Sequence, residues 1–274
     1  IKAVKLAERK GARIVGLGAL KSVLADGGAS VAKEAGIPVT TGNSYTVFSA
    51  LEGVKKAARL MEIDLPGANV LILGAADPIG SVCARILAKE SRYLTLAARQ
   101  KKHLEKLAVK ILYETGLAIK LTENIKSALR QADIIVAITT ALDVPIESED
   151  LKPGAVICDV VEPRAFSLKV AGQRNDVLVI EEGIIDVPGK PEFNLDFGYP
   201  AGKCSAGMAE VMVLALEKRF ESFSIGREIQ LEQVLDMGRL AEKHGFRLAG
   251  LRSYGKSLTG SDIESIKRRI IAKP

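Results

Sequence analysis

The sequence contains no tryptophan, only two histidines and only three cysteines among its 274 residues. The odd, sparse set of Cys83, Cys158 and Cys204 argues against a disulfide framework and favours a reducing compartment. Histidine, cysteine and carboxylate residues do not recur at the spacing of metal ligands, so no metal site is expected. Basic residues are not interleaved with aromatic ones, which argues against nucleic-acid binding.

Long apolar runs are also missing, since none approaches the roughly 20 residues that a membrane-spanning helix needs. Residues 1–13 are too charged to contain the apolar region of a signal peptide. A cytoplasmic protein without an integral membrane segment is therefore expected. The net charge of +6 suits a phosphate-rich ligand or an acidic protein partner. It is equally compatible with a charge that only keeps the protein soluble.

Short apolar segments alternate with amphipathic ones in the middle of the chain. Short apolar runs such as ANVLILGA, in which Gly74 follows the last large apolar residue, predict buried strands, and apolar residues at helical spacing predict the helices between them. This alternation indicates an α/β fold, a Rossmann-type doubly wound parallel sheet with helices on both faces. The predicted strands are 68–75, 93–99, 132–139, 154–161 and 176–185, and the predicted helices are 78–90 and 101–116.

The two flanks look mainly helical, apart from a short strand predicted at 12–18. After residue 200, helices are predicted at about 203–221 and 230–244. Near the end of the chain, Ser261 to Glu264 form a capping-box pattern that predicts one more short helix.

Two turn-forming stretches, Pro66-Gly67 and the Gly/Pro-rich segment 188–200, mark the domain boundaries. The central domain, residues 67–199, is predicted to bind NADP. The second domain is predicted to be mainly helical, to hold the substrate and to be built from both chain ends, residues 1–66 and 200–274.

The loop after the first central strand has the position of a dinucleotide fingerprint. Gly74 allows a tight turn out of the strand, Gly80 allows close packing of the next helix, and the helix N-terminus offers N–H groups to a pyrophosphate. Asp77 stands where a glycine is usual. It fits the N-cap of the helix, so the loop equally fits a well-capped helix that binds nucleotide weakly or not at all. The candidate cofactor-binding residues of this loop are Gly74, Ala75, Ala76, Asp77, Pro78, Ile79 and Gly80.

The second central strand ends in cations and has no carboxylate to bind the ribose hydroxyls of NAD. Arg99 follows Gly74 by 25 positions, close to the roughly 20 expected for the residue that contacts the ribose. A guanidinium there suits a 2′-phosphate, so NADP(H) is the predicted cofactor. Lys101 is a second candidate, although it also fits a solvated first helical turn. Thr139, at the end of the strand 132–139, is a further candidate cofactor contact.

Several separated segments match one family in order and spacing: Gly16 to Ala19, Thr40 to Thr46, Gly74 to Ser81, Ala98-Arg99, Ala209-Glu210, Phe223 to Arg227 and Lys243 to Phe246. Together they resemble the long-chain acyl-(acyl-carrier-protein) reductases, and the similarity runs from about residue 3 to about residue 250. The resemblance implies reduction of a fatty acyl thioester, carried by acyl carrier protein or CoA, to an aldehyde with NADPH. A homo-oligomer is plausible for this class.

The sequence departs from that family at Asp77 and, more seriously, at Gly207, where the family has its nucleophilic cysteine. Cys204 lies three positions earlier, beside Lys203 and at the start of a predicted helix, and both features lower a thiol pKa. Cys204 is thus the candidate nucleophile. It equally fits a small residue at a helix start.

The resemblance places Thr41 and Asn43 in the catalytic domain, where they would line the cleft that faces the nicotinamide. These two residues equally fit the cap of a helix predicted at about 44–63. They are therefore the two other candidate catalytic residues.

Three functions stay open at this point. The first is an NADPH-dependent acyl thioester reductase. The second is a dehydrogenase of the shikimate or amino-acid type, which shares the architecture and transfers hydride directly without a cysteine. The third is a non-catalytic nucleotide or acyl binder, since both departures fall on functional positions.

Overall fold

A computed structural model describes residues 1–17, 26–98, 101–138, 146–160, 166, 172–196, 198–226 and 228–271, without the side chains of Lys101 and His103. The chain divides into two compact units. The first unit comprises Ile1–Ser49 and Gly183–Ala249, and the second comprises Ala50–Glu182 and Gly250–Pro274.

The described elements alternate between helices and short strands. The helices are α1 (Lys2–Arg9), α2 (Ala29–Glu34), α3 (Asn43–Leu60), α4 (Pro78–Leu87), α5 (Lys101–Thr115), α6 (Ile125–Gln131), α7 (Ala206–Leu216), α8 (Leu231–Lys243) and α9 (Gly260–Ile271). The strands are β1 (Val15–Gly16), β2 (Val39–Thr40), β3 (Asn69–Leu73), β4 (Tyr93–Ala97), β5 (Lys120–Thr122), β6 (Ile134–Ala137), β7 (Val156–Asp159), β8 (Leu178–Glu181), β9 (Ile184–Asp186), β10 (Lys203–Ser205), β11 (Arg247–Leu248), β12 (Arg252–Ser253) and β13 (Lys256–Ser257).

The second unit contains a six-stranded parallel sheet. Its strand order is β5-β4-β3-β6-β7-β8, with every pair parallel. Along the chain, strands are added on one side of β3 as far as β5 and then, from β6 onward, on its other side, so the order reverses between β3 and β6. That order is the one found in dinucleotide-binding Rossmann domains, whose ligands lie at the carboxyl ends of the strands near the reversal. The central strands are almost fully buried because helices cover both faces of the sheet. The predicted fold class is confirmed.

Two elements of this sheet region were not predicted. β5 is the edge strand and is only half-buried, so it has no apolar run that would mark it as a strand. The short helix α6 then returns the chain to β6. Its N-cap is Asn124, whose side chain accepts a hydrogen bond of 3.0 Å from the N–H of Ser127.

The single strand predicted at 176–185 is wrong. The chain forms β8 in the six-stranded sheet, breaks at Gly183, and then forms β9, which pairs antiparallel with β10 and β11 in the first unit. Any side chain at position 183 would press on Ser49 and Leu248. The apolar character of the segment is continuous, but its two halves belong to different sheets.

The first unit packs α7 and α8 with the small sheet β10-β9-β11. Its core contains Tyr45, Ile185, Val213 and Met237, all buried. The helix predicted from residue 203 begins instead at Ala206, because Lys203–Ser205 pair with β9 as a strand. The hydroxyl of Ser205 then caps α7 by accepting a hydrogen bond from the N–H of Met208.

The last helix is capped two residues earlier than the sequence pattern predicts. Thr259 Oγ1 accepts from the N–H of Asp262, and the Asp262 carboxylate accepts from the N–H of Thr259 at 2.8 Å. This is a reciprocal capping box, formed by Thr259 and Asp262 rather than by Ser261 and Glu264. Among the described residues, no helix has the length and apolar character that crossing a membrane requires.

Candidate functional site

The turn between β3 and α4 has the backbone geometry of a phosphate-binding loop. Gly74 adopts a φ of +82°, which only glycine takes up without strain, and its carbonyl accepts a 3.0 Å hydrogen bond from the N–H of Asp77. At Gly80, any side chain would collide with the backbone of Gly74 and Ala75. Both glycines therefore have the conformational reasons that the sequence predicted for them.

The N-terminus of α4 is open to an anion. Asp77 occupies the N-cap and Pro78 the first helical position, as predicted, but within the described part of the chain no side chain makes a capping hydrogen bond to the first-turn N–H groups. Such free N–H groups and the helix dipole favour a phosphate. The Asp77 carboxyl is exposed at the same turn, and in its ionised form it disfavours an anion there. Partial desolvation raises its pKa and so weakens that effect.

The rest of the loop presents small or apolar side chains. Ala75 is fully buried, Ala76 is exposed, and Pro78 and Ile79 are partly buried. The predicted contacts Arg99 and Thr139 lie outside the described residues, as does the side chain of Lys101. The loop therefore fits the pyrophosphate of a dinucleotide, whereas its contacts to the ribose rest on the sequence.

A separate polar cluster in the first unit surrounds the start of α3. Its centre is Glu210, which is fully buried on α7. One carboxylate oxygen accepts from the hydroxyl of Thr40, and the other accepts from the N–H of Tyr45 at 2.9 Å. Because Tyr45 belongs to the first turn of α3, the Glu210 charge also lies at the favourable end of that helix dipole.

Thr41 takes part in the same cluster through its side chain. Its hydroxyl donates to the backbone carbonyl of Ser224, and the Ser224 hydroxyl accepts from the N–H of Ser44 at 3.1 Å and donates to the Ser44 hydroxyl. Thr41 is almost completely buried. Its hydroxyl proton is thus already used inside the protein.

Asn43 differs from its neighbours because its side-chain oxygen, Oδ1, is buried and has no hydrogen-bond partner among the described residues. A buried polar atom of this kind costs on the order of 1–3 kcal/mol unless a ligand or water satisfies it. Of the two predicted residues in this segment, Asn43 is the one with hydrogen-bonding capacity to spare.

The position of the family nucleophile is closed by backbone packing. Gly42 has a φ of +79°, and any side chain on it would collide with the backbone of Gly207. The segments Thr41–Asn43 and Ala206–Met208 therefore meet at their main chains.

Cys204 does not have the environment that the sequence predicted. It lies in β10 instead of at a helix N-terminus, it is fully buried with Ala209 and Phe246, and burial raises the pKa of its thiol to about 12. A thiol in such surroundings stays protonated near neutral pH. Cys83 and Cys158 are buried core residues, as predicted.

Sequence reasoning overlooked Glu210, which it used only as part of a matching segment. A signal was present, because Glu210 is the single charged residue of the otherwise apolar helix AGMAEVMVLAL. A lone carboxylate in such a helix must be paired when it is buried. Its partners, Thr40 and Tyr45, are too distant in sequence for the pattern to reveal them.

Residues 55–182 match the family model described as Shikimate / quinate 5-dehydrogenase. This segment contains the turn from Gly74 to Gly80 and all six strands of the parallel sheet. The match therefore covers the unit with the dinucleotide-binding strand order and its glycine turn.

Two curated proteins are similar to most of the chain. The aminotransferase PigE of Serratia sp. (strain ATCC 39006) is 31% identical over 264 residues, with 94% of this chain and 30% of that protein covered. The long-chain acyl-(acyl-carrier-protein) reductase of Synechococcus elongatus (strain ATCC 33912 / PCC 7942 / FACHB-805) is 29% identical over 216 residues, with 76% of this chain and 61% of that protein covered. The chain thus spans less than two thirds of the length of either relative.

One solved structure with a similar fold is quinate dehydrogenase from Corynebacterium glutamicum in complex with NAD. It is 24% identical to the matched part of the chain, with a TM-score of 0.35. The match covers 47% of this chain and 50% of that one.

Proposed function

We propose that this chain is an NADP(H)-dependent reductase that converts a fatty acyl thioester to an aldehyde by direct hydride transfer, without a covalent cysteine intermediate. The observation that carries the proposal is the glycine turn from Gly74 to Gly80, with the uncapped N-terminus of α4, at the carboxyl end of β3. The choice of substrate is supported by the 29% identity to an acyl reductase over 76% of the chain.

The residues of the turn would each have a part in holding the cofactor. The first-turn N–H groups of α4 would bind the pyrophosphate, and Gly74 and Gly80 would let the backbone approach it. Arg99 and Lys101 would bind the 2′-phosphate that distinguishes NADP from NAD. Thr139 would contact the cofactor from the end of β6.

The reaction needs only the thioester, a hydride and a proton. The nicotinamide would supply the hydride to the carbonyl carbon. The carbon–sulfur bond then breaks, the sulfur leaves as a thiol with the proton, and an aldehyde remains. No step requires a protein thiolate, which agrees with the glycine at position 207 and the buried, protonated thiol of Cys204.

Asn43 is the residue of the first unit that we assign to the substrate. The Oδ1 oxygen of its carboxamide has no hydrogen-bond partner among the described residues. The Nδ2 amine of the same group would donate to the thioester carbonyl, polarise it and stabilise negative charge on its oxygen. Thr41 would act indirectly, because its hydroxyl is bound to the carbonyl of Ser224 and holds the turn that precedes Asn43.

A second candidate function is a dehydrogenase that reduces a ketone or an imine. The observation that favours it is the family match over residues 55–182, which is to the Shikimate / quinate 5-dehydrogenase family. It uses the same cofactor site and also needs no thiol, so only the substrate separates it from the first proposal.

The first experiment is a fluorescence titration of the purified protein with NADPH and with NADH. We expect NADPH to bind about ten-fold more tightly or better, because a charge-assisted hydrogen bond to the 2′-phosphate is lost with NADH. The Arg99→Ala variant should lose that preference. If neither nucleotide binds, both enzyme proposals fail and a non-catalytic binder becomes the better explanation.

The second experiment supplies NADPH and a hexadecanoyl thioester of N-acetylcysteamine, and measures hexadecanal. Aldehyde formation supports the acyl reductase. If NADPH binds but no aldehyde forms, and a ketone or an imine is reduced instead, the dehydrogenase is correct.

The role of Cys204 is tested by replacing it with alanine. We expect Cys204→Ala to keep a kcat within about two-fold of the wild type, because a protonated core thiol makes no bond to substrate. Cys83→Ala is the matched control, since Cys83 is also fully buried with its thiol pKa raised to about 12. A loss of activity in Cys204→Ala alone, with both variants folded, would restore the covalent mechanism.

A further inference from the structure

The start of the chain is one of its basic segments. Residues 1–13 contain five cations and one carboxylate, a net charge of +4. Residues 92–120 and 252–274 are also basic, with net charges of +5 and +4.

Helix α1 presents this charge as a single exposed face. Lys2, Lys5 and Arg9 recur at helical spacing, and all three are exposed. Leu6 lies beside them and keeps 50% of its surface exposed. We call these four residues the basic face.

The side of α1 opposite the basic face packs against the protein core. Val4 projects from the other side of α1 into a core with Leu17, Val31 and Val39, and it is only 3% exposed. Just after the helix, the guanidinium of Arg13 stacks on the ring of Phe220 at 3.6 Å. The helix is thus docked on the first unit by its apolar side, which leaves its cations directed outward.

None of the three cations of the basic face has an ion pair with a described residue, unlike many other cations of the chain. Arg219 binds both Glu221 and Asp236, and Lys267 binds both Glu62 and Glu264. A cluster of cations without partners repels itself, and an opposite charge relieves that repulsion. The basic face therefore lacks a partner within the described structure.

We propose that the basic face is the docking surface for an acidic carrier protein that delivers the acyl thioester. This inference rests on the proposed function and adds the partner to it. Three exposed cations around one exposed leucine match the composition of a protein interface, in which an apolar contact is surrounded by charges that steer the encounter. An acidic helix of the carrier is the complementary surface.

Nucleic acid and lipid fit the face less well. It has no aromatic side chain for stacking on bases. The apolar side of α1 is occupied by the protein core through Val4, so it is not available for insertion into a bilayer.

The test compares two triple variants of the full chain. Lys2→Gln, Lys5→Gln and Arg9→Gln remove the basic face, and Lys106→Gln, Lys110→Gln and Lys120→Gln remove three exposed cations of the second unit. Both variants have the same net charge. Five of the six substituted residues lie in helices, where glutamine is about as favourable as lysine and arginine, and Lys120 lies at the start of the edge strand β5. Equal melting temperatures would show that both are folded.

Binding is measured by the fluorescence anisotropy of labelled apo-acyl carrier protein, and activity is measured with two substrates. At low salt the basic-face variant should bind the carrier about five-fold more weakly or worse, and its KM for hexadecanoyl-acyl carrier protein should rise equally. Its KM for the uncharged N-acetylcysteamine thioester should not change. The control variant should resemble the wild type in all three measurements.

Equal carrier binding by both triple variants would overturn the docking surface. So would binding of duplex DNA or anionic phospholipid vesicles through the basic face by a protein that ignores the carrier. If the wild type reduces neither thioester, the proposed function fails, but the anisotropy measurement still decides whether the basic face binds the carrier. The single variant Lys5→Glu provides a second test, because reversal of the charge should weaken carrier binding more than its removal in Lys5→Gln does.

Discussion

At the scale of single residues, Glu210 is a fully buried carboxylate in an otherwise apolar helix. A fully buried carboxylate is stable only when hydrogen bonds replace the water that it has lost. Glu210 receives them from Thr40 and from the N–H of Tyr45, so it joins α7 to the end of β2 and to the first turn of α3. The segment that carries Thr41 and Asn43 is fixed between these two contacts.

Replacing Glu210 by alanine should therefore destabilise the protein by about 2–4 kcal/mol, because the hydroxyl of Thr40 and the N–H of Tyr45 lose their acceptor inside the core. Urea unfolding measures the change. Glu210→Gln should cost less, since an amide keeps one acceptor and can donate to the Thr40 hydroxyl.

The control for this prediction is Glu217→Ala on the same stretch of chain. Glu217 contacts Lys243 and His244 near the protein surface, so its removal should hardly move the unfolding midpoint. Equal midpoints for Glu210→Ala and Glu217→Ala would mean that Glu210 is not the buried link described here.

At the scale of elements, the way in which a strand passes into a helix decides whether a nucleotide can bind. The end of β3 and the start of α4 approach so closely that Gly80 touches the backbone of Gly74 and Ala75. The close approach brings the first-turn N–H groups of α4 to the carboxyl end of the strand, where phosphates lie in this fold.

Gly80→Ala should open this approach and weaken NADPH binding by about ten-fold or more, with a loss of stability of about 1–3 kcal/mol from overpacking. Calorimetry and thermal unfolding measure the two effects. Gly260→Ala is the matched control because nothing lies within 4 Å of the added methyl group, and we expect it to leave nucleotide affinity unchanged. Wild-type affinity in Gly80→Ala would argue against this turn as the phosphate site.

Helix α9 offers a test of the capping that the structure assigns. Thr259→Ala removes the side chain that accepts from the N–H of Asp262, and it should cost about 1 kcal/mol of stability. Ser261→Ala should cost clearly less, although the sequence pattern made Ser261 the cap. Thermal unfolding measures both losses of stability. A larger loss in Ser261→Ala than in Thr259→Ala would show that Ser261 is the N-cap.

At the scale of the whole molecule, buried carboxylates set the response to acid. Burial by itself raises the pKa of Asp150, but the N–H of Glu147 and the cations Arg130 and Lys126 outweigh burial and lower it overall. A pKa that is lower in the folded than in the unfolded state contributes stability above the unfolded value. That stability is lost as the pH falls through the folded value.

We therefore expect a plateau of stability above about pH 5 and a steep loss below about pH 4, which urea unfolding at a series of pH values would measure. Glu114, whose pKa is lowered mainly by its hydrogen bonds to Arg85, contributes in the same direction. Asp150→Asn should be less stable at pH 7 and should have a shallower acid slope. An unchanged slope would mean that Asp150 is not a main source of the acid response.

Local patterns in the sequence were sufficient for the parts of the fold that are buried on both sides. β3, β4, β6 and β7 are short, mainly apolar runs because helices cover both faces of the sheet and leave most of their side chains without contact to water. Gly74 and Gly80 were identifiable for a similar reason, since their conformation and close packing permit only glycine. From these features the sequence by itself determined the Rossmann-type unit and the two glycines of its candidate phosphate loop.

Only the tertiary structure decided the features that depend on distant partners. The segment around Gly183 is divided between two sheets, and Cys204 lies in a strand because β9 is available to pair with it. Thr40 and Glu210 meet although 170 positions separate them. Hydrogen-bond partners of this kind leave no periodic trace in the chain, because each side of the contact is a single residue whose neighbours follow their own local pattern.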